Sequence, residues 1–513
     1  MRVALLAGGT GGAKLAAGMQ EEVGPDLAVI ANTGDDIEAL GVHVSPDPDL
    51  VTYWLSGEID AERGWGIRDD SFTAFERLKQ LGAPSWFGLS DRDLAACLYR
   101  REFLDAGGRP TDAQAQIARG LGVEARVLPM TDTPVRTQVI TPAGPRALQE
   151  YLILDGGQPP VEGVQLEGIE AAEPTPEALA AIAEAEAIVL GPSNPVISIG
   201  PILAVPGMRE AIAASPAPVV AVSPYVAGEV VKGPTDRFME GIGRPATAAG
   251  VASLYAGLID AMVVDEGDPD PPPAELPTLA APTLMDSAGT RARLRRYARL
   301  LKATAVLPVK RFDAAKQRLA AGIDEDRRRE LAGAMVADVL EAIGGARAIE
   351  RLIVVSGDPL AQELAAEAGA EVVPDPEDAG HVEAAQAGIA KAEVEGAERV
   401  VLLAGDCPLL DPRELDRLLT GTPGRYVGIV PDRHGTGTNA LLLSPPDAIV
   451  PAFGAGSRDR HVEAARAAGV PFGIEELPSI ELDLDTPADV IALTRELAHN
   501  PKRARRTAKA LGI

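Results

Sequence analysis

Cysteine is almost missing from this sequence of 513 residues: only Cys97 and Cys407 occur. Two isolated thiols exclude a disulfide framework and a cysteine-built zinc site, and they fit a reducing cytoplasm. No apolar run reaches the roughly 20 residues a membrane helix needs, so a soluble chain without a membrane partner is expected. The opening MRVALLAGGTGG turns quickly into glycines and lacks the longer apolar core and cleavage pattern of a signal peptide. Basic residues are the minority, 48 Lys plus Arg against 75 Asp plus Glu, for a formal net charge of −27. Such a surface repels nucleic-acid phosphates, and no domain-sized basic patch offsets it, so no nucleic-acid partner is expected. The five histidines, His43, His381, His434, His461 and His499, show no pairing at metal-ligand spacing, and no GxSxG elbow accompanies them. They receive no catalytic role.

What the sequence does have is length and alternation. A single core seldom grows to this size, so two or three domains are expected. Apolar runs at Arg2–Ala7, Leu27–Ala31, Ala187–Leu190 and Val219–Val222 predict buried strands, and Ala13–Gln20, Phe72–Leu81 and Pro176–Glu184 predict helices. The same alternation restarts with strands at Ala303–Val309, Arg351–Val355, Val400–Ala404 and Tyr426–Val430 and helices at Glu325–Ile343, Leu360–Ala368 and Ala488–Leu497. The fold class is α/β: two Rossmann-like domains, each a mostly parallel sheet covered by helices on both faces. The acidic, proline-rich stretch from Asp265 to Pro273 is a tempting linker. A basic helix predicted at Ser287–Lys302 and the fresh strand after it place the boundary later, giving domains 1–302 and 303–513.

In the first half, Gly8-Gly9-Thr10-Gly11-Gly12-Ala13-Lys14 leaves a strand and enters a helix, where free N–H groups and the helix dipole suit a phosphate. The alternative is a tight turn without a ligand. The loop fits neither the Walker pattern nor GxGxxG, because Ala13 precedes the lysine and Lys14 sits where the last glycine belongs. Downstream, Asn32-Thr33-Gly34-Asp35-Asp36 follows a strand, and Asp47 and Asp49 lie one residue apart at a helix edge. That acid pair either caps the helix or holds Mg²⁺.

The segments AGGTGGAKL, ANTGDD, SPDPDLVTYWLSGEID, WGIRDDSF, SDRDLA, GPSNPVISI and VKGPTDR, in this order, resemble the 2-phospho-L-lactate transferase family of coenzyme F-420 biosynthesis, over Met1 to about Lys302. The resemblance implies transfer of a phosphorylated small acid from a guanosine diphosphate anhydride to the ribityl hydroxyl of the deazaflavin Fo, with GMP leaving. It also implies Asp47 and Asp49 at Mg²⁺ or the Fo hydroxyl, Arg92 between Asp91 and Asp93 at Fo or phosphate, and Pro192, Ser193 and Asn194 near the guanosine diphosphate. Attack of an alcohol on phosphorus demands charge compensation and alignment more than covalent help from the protein.

In the second half, Lys310 and Arg311 begin a basic stretch reaching Lys316 and Arg318, suited to a triphosphate or simply to a solvated helix entrance. Asp406 ends an apolar strand, and Asp483 and Asp485 alternate with leucines. Acids at strand ends of an α/β sheet sit where ligands bind, and acids from two loops can grip one Mg²⁺; capping by Asp485 is compatible with that. LPVKRFDAAKQRLA, LLAGDCPLL, GTGTNALLL, FGAGSRDRH and LDLDTPADV resemble the 2-phospho-L-lactate guanylyltransferases over Ala303 to about Leu497. The resemblance implies attack of 2-phospho-L-lactate or phosphoenolpyruvate on the α-phosphorus of GTP, with pyrophosphate leaving. It places Asp406 with Asp483 or Asp485 at Mg²⁺, Lys310 and Lys316 at the GTP phosphates, and Thr438, Gly454 and Ser457 in the phospho-acid pocket, with His461 nearby. The implied reactions are consecutive, so fusion would raise the local concentration of their shared anhydride. The competing reading is a nucleotide-sugar-binding regulatory domain fused to a sugar or molybdopterin nucleotidyltransferase. A homodimer is among the expected assemblies.

Overall fold

The computed structural model describes residues 2–270, 272–273, 276–284, 302–312, 324–375, 377–378, 380–421, 425–499 and 503–512. The chain divides into two units, Met1–Ala298 and Arg299–Ile513.

In the first unit the aliphatic run Val3–Ala7 is buried at every position and forms β1; a strand covered on both faces has no polar alternation to show. α1 (Gly9–Val23) begins four residues earlier than the sequence predicted, inside the glycine loop, and has no side-chain cap. β2 (Leu27–Ala31), α2 (Pro46–Leu55), α3 (Thr73–Gln80), α4 (Asp91–Asp105) and β3 (Arg126–Pro129) follow. A small antiparallel sheet of Arg136–Thr141, Gly144–Ala147 and Gly163–Glu167, which the sequence reasoning did not foresee, is inserted next. α5 (Pro176–Glu184) then leads to β4 (Ala187–Leu190), β5 (Val219–Val222), β6 (Ala261–Asp265) and β7 (Thr278–Ala281).

The seven strands form one parallel sheet in the order β7-β6-β5-β4-β1-β2-β3. From β1 the chain builds outward to β2 and β3, then returns to lay β4 on the other side, so the order reverses between β1 and β4. Because β7 pairs with β6, the proline-rich stretch is a connection within this sheet. Asp265, at the end of β6, accepts the N–H groups of Ala227, Gly267 and Thr283 at 3.2, 3.0 and 3.0 Å. Residues 287–301 of the predicted basic helix lie outside the described residues.

The second unit runs β8 (Ala303–Val309), α6 (Glu325–Gly344), β9 (Ile349–Ser356), α7 (Pro359–Glu367), β10 (Glu371–Pro374), α8 (His381–Val394) and β11 (Val400–Leu403). It continues with β12 (Tyr426–Pro431), β13 (Thr438–Ser444), α9 (Ser457–Ala467), β14 (Phe472–Ile474) and α10 (Pro487–His499). The strand order is β10-β9-β8-β11-β13-β12-β14, parallel except where β13 meets β11 and β12. Alternate β8 residues enter two cores: Ala305 and Leu307 pack with Leu331 and Met335 of α6, while Val306 packs with Ala385 and Ile389 of α8. Here the order reverses between β8 and β11.

Candidate active sites

Open α/β sheets bind ligands where the strand order reverses, because the loops there diverge and leave a crevice. In the first unit the crevice is a cleft of about 410 Å³, lined by Gly8, Gly9, Thr10, Gly11 and Lys14 from the first loop and helix and by Pro192, Ser193 and Asn194 from the loop after β4. Asp35, Asp47 and Lys232 add charge to its lining. Close contact explains the glycines: a side chain on Gly8 would overlap the Asp47 carboxylate, and one on Gly11 the Pro192 carbonyl. Gly12 is buried outside the cleft, against Ser193 and Ala7. Ser193 Oγ accepts the Gly8 N–H at 3.2 Å, joining the two loops.

Asp47, in the first turn of α2, accepts the Gly9 N–H at 2.5 Å and Asn32 Nδ2 at 2.9 Å. The same amide nitrogen donates to Asp35 Oδ1 at 3.2 Å, so two buried carboxylates share one donor at the amino end of α1. Burial pushes Asp47 up to about 6 against the hydrogen bonds from Asn32 and Gly9. Burial, reinforced by the Asp47 charge, raises Asp35 well above the ordinary carboxylate range. Lys14 sits 5.7 Å from the Trp54 ring centroid, and Lys232 Nζ donates to Gly64 O at 3.3 Å and lies 3.4 Å from Thr10 Oγ1. Partial burial and then the Lys14 charge hold Lys232 below its ordinary value. Two lysines and two acids thus share one cleft.

The structure separates Asp49 from Asp47. Positions two apart on a helix point roughly 200° apart, and Asp49 turns to Arg100, which donates from Nη1 at 3.0 Å and from Nη2 to the other oxygen. Arg100 is 2% exposed and Asp49 3%, so this is a buried ion pair, and neither borders the cleft. The carboxylate that shares the cleft with Asp47 is thus Asp35, whereas an Asp49 oxygen lies within 4.8 Å of ligand atoms of Asp93 and Cys97 away from the cleft.

Arg92 also lies outside the cleft. Asp70 accepts its backbone N–H at 2.9 Å and pairs with its Nε at 3.5 Å, while its Nη2 donates to the Arg68 carbonyl. Asp91 accepts the N–H groups of Thr73 and Ala74 at 3.2 and 2.9 Å, capping α3 from a distance, and Asp93 accepts from the Tyr53 hydroxyl at 2.8 Å. Asp91-Arg92-Asp93 therefore builds the corner between α3 and α4 and does not line the cleft. Asp36 is held by His43 and Ser45 at 3.0 and 2.7 Å. Sequence reasoning missed Lys232; the lysine in VKGPTDR was the available signal.

In the second unit the reversal point holds a cleft of about 320 Å³ lined by Lys310, Phe312, His381, Gly405, Asp406 and Asp485, among others. Carboxylate oxygens of Asp406, Asp483 and Asp485 lie within 4.8 Å of one another. The Leu484 N–H donates to the Asp406 carbonyl at 3.2 Å, which brings the two acid-bearing loops together. At the start of α10, Asp489 accepts the Asp485 and Thr486 N–H groups at 2.9 and 2.6 Å and so caps the helix. His381 was assigned nothing from sequence, yet it lines the cleft. Burial lowers its pKa, opposed by Asp406 and assisted by Lys310. Lys316 lies outside the described residues.

Beside this cleft, Thr438 opens β13 and Ser457 opens α9, with their hydroxyl oxygens 3.1 Å apart. Gly454 accepts the Ser457 N–H at 3.0 Å in a backbone conformation with φ +106°, where a side chain would be strained. Phe453 connects the groups: its ring lies 4.7 Å from that of His381 and 5.3 Å from that of His461, edge-on to both.

Mostly parallel sheets whose reversal points gather cations with carboxylates suit phosphate-bearing ligands, as in α/β transferases of phosphoryl and nucleotidyl groups. Residues 3–294 match the family described as 2-phospho-L-lactate transferase CofD, and the chain belongs to that family. Residues 303–513 match the family described as guanylyl transferase, CofC like, so both domains are of transferase families. The chain is 45% identical over 276 residues to a phosphoenolpyruvate transferase of Kitasatospora aureofaciens, covering 52% of this chain and 86% of that one. It is 39% identical over 265 residues to a 2-phospho-L-lactate transferase of Methanosarcina mazei, covering 52% and 87%. A solved UPF0052-family structure from Bacillus halodurans superposes with a TM-score of 0.37 at 21% identity over 52% of this chain and 80% of that one, a likeness too slight to argue from.

Proposed function

We propose that the chain carries out two consecutive steps of coenzyme F-420 assembly. The second unit guanylylates phosphoenolpyruvate or 2-phospho-L-lactate with GTP, releasing pyrophosphate. The first unit transfers the phospho-acid from the resulting guanosine diphosphate anhydride to the ribityl hydroxyl of Fo, releasing GMP. The observation that carries this reading is the repeated pairing of cations with clustered carboxylates at both reversal points. Relatives of the first unit bear names with either acid, so both remain substrates to be tested.

Three carboxylates with oxygens within 4.8 Å fit a hard divalent cation such as Mg²⁺, and the shared-donor pair Asp35 and Asp47 fits one completed by substrate phosphate. Such an ion supplies neutralisation of phosphate charge. In the first unit Lys14 and Lys232 bind the diphosphate, the glycine loop lets it approach the backbone, and the floor of the cleft orients the attacking hydroxyl. In the second, Lys310 binds the triphosphate, while Thr438, held by the Ser457 hydroxyl, presents its own to the acid. Purified protein incubated with GTP, Mg²⁺, Fo and each acid separately is expected to yield pyrophosphate and a phospho-acid ester of Fo by mass spectrometry. Absence of pyrophosphate with every acid would remove the guanylyl-transfer reading and favour a binding role.

A further inference from the structure

His461 is fully buried, yet it makes two polar contacts whose directions constrain each other. The Ala452 N–H, which can only donate, lies 2.9 Å from His461 Nε2. Nε2 must therefore present its lone pair, and in a neutral ring the proton sits on Nδ1. Burial and the neighbouring Arg460 charge push His461 down to about 4, so the ring is neutral near pH 7. Nδ1 lies 3.1 Å from Thr438 Oγ1 and so donates to it. The arrangement follows from sequence spacing: Ser457 and His461 are four apart on α9, one turn along the same face, and both meet the first residue of β13.

Donation from the imidazole settles the polarity of the hydroxyls. Thr438 cannot donate to the ring, and Ser457 Oγ donates to it at 3.1 Å, so the Thr438 proton turns outward. Thr438 Oγ1 accepts twice, from the imidazole and from the Ser457 hydroxyl, so its own single O–H is left to face an anion. Were the ring to carry its proton on Nε2, it would oppose the Ala452 N–H and draw the Thr438 proton inward.

We infer that His461 is a positioning residue that, together with the Ser457 hydroxyl, occupies both lone pairs of Thr438 Oγ1 and so turns the Thr438 O–H to the anionic groups of the phospho-acid. This rests on the guanylyl-transfer reading of the second unit. The ring has no contact with substrate in this role.

The test uses the full chain. Histidine-labelled protein examined by nitrogen NMR, with the His461 signal assigned by its loss in His461→Phe, is expected to show the proton on Nδ1. His461→Phe is expected to raise the KM for phosphoenolpyruvate or 2-phospho-L-lactate about tenfold or more, the effect of losing a hydrogen bond to a charged group. The KM for GTP should stay within about twofold. His461→Gln or His461→Asn, whose amides can accept from Ala452 and donate to Thr438, should recover most of the loss in at least one case. A proton on Nε2, parallel changes in both KM values, an unchanged acid KM, or recovery by neither amide would overturn the proposal. If wild-type protein releases no pyrophosphate with any acid, the guanylyl-transfer reading fails by itself, and the tautomer alone then decides whether His461 sets the hydroxyls.

Discussion

Between β1 and β4 the first unit sets a glycine-lined helix start against two acids and two lysines; between β8 and β11 the second sets Lys310 against three aspartates, with no glycine loop after its first strand. Both sites lie where the strand order reverses, so topology fixes the location. What differs is how closely the backbone approaches. Gly8 and Gly11 bring main chain against Asp47 and Pro192, where any side chain would overlap. The second unit leaves more of the work to side chains on the loops after its strands. The same architecture therefore hosts two candidate sites that differ in their loops rather than in their sheets.

Disabling either site should leave the other working. Asp406→Asn is expected to lower pyrophosphate release about 100- to 1000-fold while transfer from supplied anhydride to Fo is unchanged, and Asp47→Asn to do the reverse. A loss of both activities from either change would deny that the sites are chemically independent. Next in size is a contrast within the first unit. Asp49→Asn leaves Arg100 buried without its anion and should destabilise that unit by about 3–5 kcal/mol, read from urea melts of the whole chain. Arg92→Ala, which removes a half-exposed guanidinium and leaves the backbone N–H on Asp70, should cost about 1 kcal/mol and leave transfer within about twofold. A large loss of transfer in Arg92→Ala would restore the substrate role that the sequence had pointed to. Smallest is Lys232→Ala, expected to raise the KM for the anhydride about 10- to 100-fold with a weaker dependence on salt; an unchanged KM would move the diphosphate away from the Lys14 side of the cleft.

Much of the fold was legible because buried strands advertise themselves. Leu27–Ala31, Ala187–Leu190, Val219–Val222 and Ala303–Val309 are apolar runs with boundaries that match the structure. The inserted antiparallel sheet was not, since strands such as Arg136–Thr141 alternate buried with half-buried polar residues over only six positions. Site residues divided along a similar line. Clustering of Asp406, Asp483 and Asp485 followed from acids at strand ends, whereas Asp49 looked equivalent to Asp47 because a linear sequence does not display the helical rotation between them. His381 was assigned nothing and His461 only a place near the acid pocket, because neither has a metal-ligand spacing; Phe453, between their rings, links the two in space.

Asp265 bears on how the two enzymes could be taken apart. Its carboxylate gathers Ala227, Gly267 and Thr283, and Thr283 and Leu284 reach the rim of the first cleft. Anyone dissecting the gene into separate halves would be drawn to the prolines after Asp265 as the natural place to cut. That truncation would strip the edge strand β7 from the transferase, bare the hydrogen-bonding side of β6, and open one wall of the substrate cleft. A transferase fragment made to stand alone must be cut beyond Leu284.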